Sequence, residues 1–207
     1  MKPKIKVLIA DDHAIVRMGL AALMEFEKDI EIVGQADDGN EAVARALKLQ
    51  PDVVIMDLMM PVKDGVSATA ELHEKCPKAK VILLTSFGTS DGIAHALEAG
   101  ASGALLKNSA EAELIPAIRR VFAGETCISD EIRRQLKSDP PAPELTLRQM
   151  DVLNLLAHGH TSKSIAEQLH ISADSVNEHI TVLVQKLHAS NRTEAVAIAQ
   201  RKQLLKI

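Results

Sequence analysis

Tryptophan and tyrosine are absent from the 207 residues, and phenylalanine occurs only three times. Any hydrophobic core must therefore be aliphatic, and the aromatic platforms on which single-stranded nucleic acid stacks are not expected. Cysteine is nearly as scarce: Cys76 and Cys127 form no CxxC pattern, which reads as two reduced thiols in a cytoplasmic protein. Long apolar runs are missing too. No stretch reaches the roughly 18 residues of a transmembrane helix. The first residues, "MKPKIKVLIADD", carry lysines but close a short apolar run with two acids, so no signal peptide and no membrane association are expected.

What remains is an ordinary globular composition, 46% hydrophobic and 25% charged, of a length that suits one or two domains. The net charge of −4 is unevenly spread. Residues 145–207 hold seven Lys/Arg against five Asp/Glu, whereas residues 1–144 hold seventeen against twenty-three. Five of the eight histidines also fall in the last part. An acidic first part and a slightly basic second part point to a division of labour.

The first 124 residues alternate short β-branched runs with amphipathic ones. Strands are predicted at 4–10, 30–36, 52–57, 80–86 and 102–107, with helices between them at 14–26, 40–50, 65–75, 90–99 and 110–124. Five β–α units in succession predict a five-stranded parallel sheet with right-handed crossovers and helices on both faces, in the flavodoxin-like order 2-1-3-4-5. Pro116 falls inside the last of these helices, where it weakens the expectation for the first turns. A short helix at 129–137 then runs into "KSDPPAPE" (137–144). Three prolines in four residues suit neither helix nor central strand and mark a linker. Beyond it four helices are predicted, at 146–158, 161–169, 173–188 and 192–205, with Thr146, Thr161, Ser172 and Asn191 as N-caps. The expected domains are thus 1–124, a short helix and linker over 125–144, and an all-α helix-turn-helix domain over 145–207.

The run "DVVIMD" is apolar enough for a strand covered on both faces, yet it ends in Asp57, and burying a lone carboxylate is costly. Its companions explain it. Ligands of open parallel sheets bind beyond the C-terminal strand ends, and those ends carry Asp11 and Asp12, then Asp57, then Thr85, then Lys107. Three carboxylates gathered together repel one another and call for a cation; Mg2+, a hard ion that takes oxygen ligands and pairs carboxylates with phosphate, is the expected one. Lys107 adds a second positive charge and Thr85 a hydroxyl donor. Together they suit a phosphoryl group, with Asp57 as nucleophile.

"IADDH" (9–13), "VIMDLMMPVKDG" (54–65), "LLTS" (83–86) and "GALLK" (103–107) resemble the receiver domain of bacterial response regulators. That resemblance implies phosphoryl transfer to Asp57 from a histidine kinase, Mg2+ held by Asp11, Asp12, Asp57 and the backbone carbonyl of Met59, and Thr85 and Lys107 against the phosphoryl group. Ala104 stands where the family carries an aromatic switch residue, so a rotating ring cannot couple to Thr85 here.

Residues 144–199 resemble the LuxR-type helix-turn-helix of the NarL/FixJ regulators, through "LT" (145–146), "VLNLLAHG" (152–159), "SKSIAEQLHIS" (162–172) and "NRTEAVAIA" (191–199). In 173–188, Val176, Ile180, Leu183 and Leu187 form a buried stripe, and Asp174, Asn177, Glu178, Thr181 and Gln185 face away from it. Such a face suits the major groove of double-stranded DNA. Ser162, Lys163, Ser164, Lys186 and Arg192 are the candidate phosphate contacts. Asp174 and Glu178 depart from the basic residues usual in the family, so DNA binding is expected to be weak in the monomer, to need a homodimer formed on activation or, in the extreme, to be lost. Ala195, Val196, Ile198 and Ala199 offer either a dimer surface or core packing. The function expected is a phosphorylation-dependent DNA-binding transcription regulator of a two-component system, and not an enzyme. The alternative is a phospho-receiver whose degenerate helix-turn-helix domain acts through protein contacts. A haloacid-dehalogenase-like phosphatase, which wants a DxDx run after the first strand, fits the adjacent Asp11-Asp12 poorly.

Overall fold

The computed structural model describes residues 3–86, 90–141, 145–202 and 204–205. The chain divides into two compact units, Met1–Pro140 and Pro141–Ile207.

The first unit contains β1 (Ile5–Ala10), α1 (Ala14–Glu25), β2 (Ile30–Ala36), α2 (Gly39–Leu49), β3 (Val53–Asp57), α3 (Gly65–Lys75), β4 (Lys80–Thr85), α4 (Ser90–Glu98), β5 (Gly103–Leu106), α5 (Ala110–Phe122), β6 (Cys127–Ile128) and α6 (Asp130–Ser138). All strand pairs are parallel, in the order β2-β1-β3-β4-β5-β6. The period-2 alternation of strand side chains sorts the core into two layers. Leu8, Val54, Met56, Leu83 and Ala104 meet α2, α3 and α4 on one face. Val7, Ile9, Val53, Ile55, Ile82, Leu84 and Leu105 meet Leu20 and Met24 of α1 and Leu114, Ile118 and Val121 of α5 on the other. Every residue of β3 is buried, as its unbroken apolar run requires.

Two expectations for this unit need correction. Among the described residues the sheet has six strands rather than five: Cys127 and Ile128 pair with Gly103 and Ala104, and Ser129 donates its amide to the Ala104 carbonyl. Two residues carry no readable alternation, so this strand exists only through its partner. The segment after 124 is accordingly part of the first unit rather than a connector. Ser129 caps α6 by accepting the Ile132 amide, and Ile132, wholly buried, joins the core layer that contains Ala104 and Leu106. Pro116, for its part, leaves α5 unbroken. It sits on the exposed face beside exposed Ala112, where water can satisfy the carbonyl that loses its amide partner.

The second unit contains α7 (Leu147–Ala157), α8 (Ser162–Leu169), α9 (Ala173–Lys186) and α10 (Arg192–Arg201). Thr146, Thr161, Ser172 and Asn191 each cap a helix with a side-chain oxygen, and Gln149 completes a capping box with Thr146. One aliphatic core, built on Val152, Leu153, Ile165, Val176, Leu183 and Leu187, holds the four helices. Ala195 and Ala199 are buried in that core, and Val196 and Ile198 are half-buried against it, so the two alanines serve packing within the module.

Candidate functional site

Strand register builds the first site. Ala10 pairs with Met56, so the residues that follow, Asp11 and Asp57, leave the sheet side by side. Thr85 pairs with Leu106, which brings Lys107 out at the same edge. Asp11, Asp57 and Thr85 are buried, and Asp12 is exposed. The Lys107 ammonium spans the two buried acids, 2.5 Å from Asp11 Oδ2 and 2.8 Å from Asp57 Oδ2. The local folding is as specific. Asp11 Oδ1 accepts the His13 amide at 2.9 Å, the Arg17 guanidinium donates to the Asp11 carbonyl at 2.6 Å, and the Met59 amide lies 3.5 Å from Asp57 Oδ1.

Electrostatics follow from burial. Burial pushes the Asp57 carboxyl above the ordinary aspartate value; the hydrogen bond and charge of Lys107 pull it down but do not cancel this, and neighbouring Asp11 adds to the rise. Burial opposes the charge on Lys107, yet hydrogen bonds to Asp11 and Asp57 outweigh it and hold the ammonium above its usual range. The edge is therefore a place where negative charge is crowded and one lysine compensates it.

Asp11, Asp12 and Asp57, joined by His13, bring one ligand atom each to within 4.8 Å of one another. Carboxylate oxygens at this spacing suit a small hard divalent cation. His13 is the addition that sequence reasoning passed over: its Nδ1 lies 2.7 Å from Asp12 Oδ1. Its place in "DDH" was the available signal. Met59 is exposed on the loop after β3. Ala104 is fully buried, in the layer that α6 completes with Ile132, so the place foreseen for a mobile ring lies among aliphatic side chains.

In the second unit, Asp174, Asn177, Glu178 and Thr181 are exposed on α9 and with Val182 line one shallow, open depression. Gln185 is exposed one turn further along. Thr181 donates its hydroxyl to the Asn177 carbonyl at 2.9 Å. Lys163 and Arg192 are exposed at the starts of α8 and α10; Ser162 and Ser164 are half-buried. Ser164 Oγ lies 3.1 Å from His160 Nδ1. Lys186 is half-buried too and donates to Gln149 Oε1 at 3.1 Å, so its ammonium braces α9 against α7. Arg148, which sequence reasoning passed over, donates to the Leu169 carbonyl at 2.6 Å and so closes the end of α8.

A parallel sheet that gathers acids and a lysine at its strand ends, followed by a capped four-helix module, defines a class: signalling proteins that pair an α/β receiver with a helix-turn-helix output unit. Comparison with known proteins gives the family. Residues 7–119 match the response regulator receiver domain, and residues 143–199 match the bacterial regulatory proteins of the luxR family. The transcriptional regulatory protein LiaR of Bacillus subtilis is 41% identical over 97% of this chain and 99% of its own length. Among solved structures, the RcsB response regulator of Salmonella typhimurium superposes with a TM-score of 0.78 at 25% identity, covering 95% of this chain and all of that one. An RcsB–DNA complex gives 0.71 at 25% identity, over 95% of this chain and 98% of that one. The chain belongs to the response regulators that join a receiver domain to a luxR-family domain.

Proposed function

We propose that this response regulator accepts a phosphoryl group on Asp57 from a histidine kinase and, so modified, controls transcription by binding double-stranded DNA as a homodimer. The observation that carries the reading is the Lys107 ammonium bridging Asp11 and Asp57 at the C-terminal strand edge. In the transfer, a carboxylate oxygen of Asp57 attacks phosphorus, the P–N bond of the phosphohistidine breaks, and the imidazole leaves with the bonding electrons. Lys107 faces the charge that develops on the phosphoryl oxygens, and the Thr85 hydroxyl donates to one of them. Mg2+ held by Asp11, Asp12, Asp57 and the Met59 carbonyl would supply further neutralisation of that charge. The raised Asp57 suits this role, because a cation offsets both the burial and the neighbouring Asp11 charge that raise it.

On the output side, Asn177, Thr181 and Gln185 face base edges in the major groove, Asp174 and Glu178 limit which bases are accepted, and Ser162, Lys163, Ser164 and Arg192 contact phosphates. Lys186 serves the module's own packing as well as any phosphate. The two-component response regulator RcsB, which this chain resembles over 95% of its length, is solved in complex with DNA, which supports the reading. The protein works in the cytoplasm; no described helix is long and apolar enough to cross a membrane. The acidic residues Asp174 and Glu178 favour one second reading, in which α9 meets a protein partner.

The test is labelling with a small phosphodonor and Mg2+. Wild-type protein takes up one phosphoryl group, and Asp57→Asn takes up none while its circular dichroism is unchanged. Labelling that persists in Asp57→Asn moves the acceptor elsewhere. Selection of genomic DNA fragments, with and without phosphodonor, tests the output; no enrichment at low or physiological salt favours the protein partner.

A further inference from the structure

The loop between β3 and α3 carries Met59, whose carbonyl is assigned above to the metal, and it holds an unusual backbone. Val62 has φ +65°, a left-handed conformation that β-branched residues rarely adopt. The Lys63 amide donates to the Pro61 carbonyl at 2.7 Å, so Val62 is the centre of a γ-turn with positive φ, a rare and strained form. A strained turn persists only where its surroundings hold it.

The surroundings that hold it come from another element. Gly39 is the first residue of α2, following the cap Asp38, so its amide is one of the donors that a helix start leaves without an internal partner. That amide donates to the Lys63 carbonyl at 3.1 Å. The approach tolerates nothing larger than glycine: a Cβ on Gly39 would lie 2.5 Å from the Lys63 carbonyl oxygen and 2.9 Å from Lys63 Cγ. The other end of the loop is fastened in the same manner. The Gly65 amide donates to the Leu58 carbonyl at 3.0 Å, and a Cβ there would lie 2.2 Å from the Asp57 carbonyl oxygen. The Lys63 side chain is anchored as well, by an ion pair to Glu71 of α3.

We propose that Gly39 is a positioning residue for the phosphorylation site: its amide on the Lys63 carbonyl holds the Val62 turn and thereby fixes the Met59 backbone beside Asp57. The clamp runs from the start of α2 to the ligand loop, so a residue that touches neither metal nor phosphoryl group sets how well the loop is formed before either arrives. This rests on the reading that Asp57 accepts phosphate with Mg2+ at its side.

The chain has no tryptophan or tyrosine, so calorimetry is the natural readout. Mg2+ is titrated into wild type, Gly39→Ala, Val62→Gly, these two combined, and Gly34→Ala, each scanned for thermal stability and labelled by small phosphodonor. Gly34→Ala is the control for plain destabilisation: its Cβ would press on the side-chain tips of Leu49 and Leu8 only. Gly39→Ala is expected to weaken Mg2+ binding by about ten-fold or more, the effect of disturbing groups behind a metal's direct ligands, and to slow labelling at subsaturating Mg2+. Gly34→Ala lowers the melting temperature with Mg2+ affinity unchanged. Val62→Gly takes the left-handed turn without strain, so it keeps Mg2+ affinity by itself and, added to Gly39→Ala, restores part of both the affinity and the melting temperature. Wild-type Mg2+ affinity in folded Gly39→Ala, or no recovery of affinity or melting temperature when Val62→Gly is added to it, overturns the proposal. Wild-type protein that binds no Mg2+ and takes no label overturns the functional reading instead.

Discussion

The strand-end edge of the first unit and the outer face of α9 are both polar surfaces assembled from residues that sequence patterning singles out, and they are built on opposite plans. At the edge, Asp11 and Asp57 are buried and converge on Lys107 within 2.5 and 2.8 Å. On α9 the five outward residues are exposed, and Thr181 donates its hydroxyl to its own helix at Asn177. A site that handles a small, highly charged group must exist before the group arrives, because its electrostatics work only when preorganised and shielded from water. A face that meets a large polymer can stay solvated, since the polymer itself brings the counter-charge and removes the water. The difference teaches where substitutions will register: in folding stability at the edge, and only in binding on α9.

The largest effect should therefore come from breaking the edge. Lys107→Ala leaves two buried carboxylates without their cation. Removing one partner of a buried pair costs about 3–5 kcal/mol, and here about 2–3 kcal/mol is expected because the Lys107 side chain keeps some exposure. Urea unfolding without divalent ions measures it. Mg2+ should restore most of the loss, since binding to the folded state alone stabilises by mass action. The matched change on the other unit, Lys163→Ala, should stay within about 0.5 kcal/mol, as exposed substitutions do. Equal losses for the two lysines would erase the contrast.

The edge was also the more legible of the two. Each of its residues closes an apolar run, so Asp11, Asp57, Thr85 and Lys107 could be placed from strand pattern alone once the sheet was taken as parallel. The N-caps Thr146, Thr161, Ser172 and Asn191 were legible for a related reason, since capping is a local interaction. Strand β6 was not, because Cys127 and Ile128 owe their strand conformation to β5 and not to any pattern of their own. The placement of the α10 alanines was ambiguous for the same cause: residues as small as Ala195 and Ala199 suit a core and an interface equally, and their burial shows only in the packed module. Gly39 and Val62 were invisible, as a close backbone approach and a left-handed turn leave no periodic trace.

A middle-sized effect tests the solvated face. If α9 lies in the major groove, Glu178→Lys should raise affinity for DNA of any sequence, and each new phosphate contact should steepen the log–log salt dependence by about 0.9. Arg192→Ala should flatten it by a similar amount, with thermal stability unchanged. Binding assays from low to physiological salt supply both slopes. A slope indifferent to both substitutions would detach α9 from DNA and leave it to a protein partner.

The smallest expected effect lies between these extremes, in the surface charges that anchor the loop beside the edge. Hydrogen bonds from Lys63 and then Lys75 hold the Glu71 carboxyl down to about 2. A depressed folded-state value means that the stabilisation is present above the ordinary glutamate value of 4.5 and is lost as pH falls from there toward about 2. Glu71→Gln should remove that dependence: its stability matches wild type at the acid end, where Glu71 is already neutral, and falls slightly below it at neutral pH, slightly because ion pairs at the surface are screened by solvent and salt. If Glu71 only decorates the surface, Mg2+ binding at neutral pH will be untouched. If it helps to hold the Lys63 end of the ligand loop, Mg2+ affinity will fall slightly in Glu71→Gln as stability does, and the boundary between the built edge and the solvated surface then runs through this carboxylate.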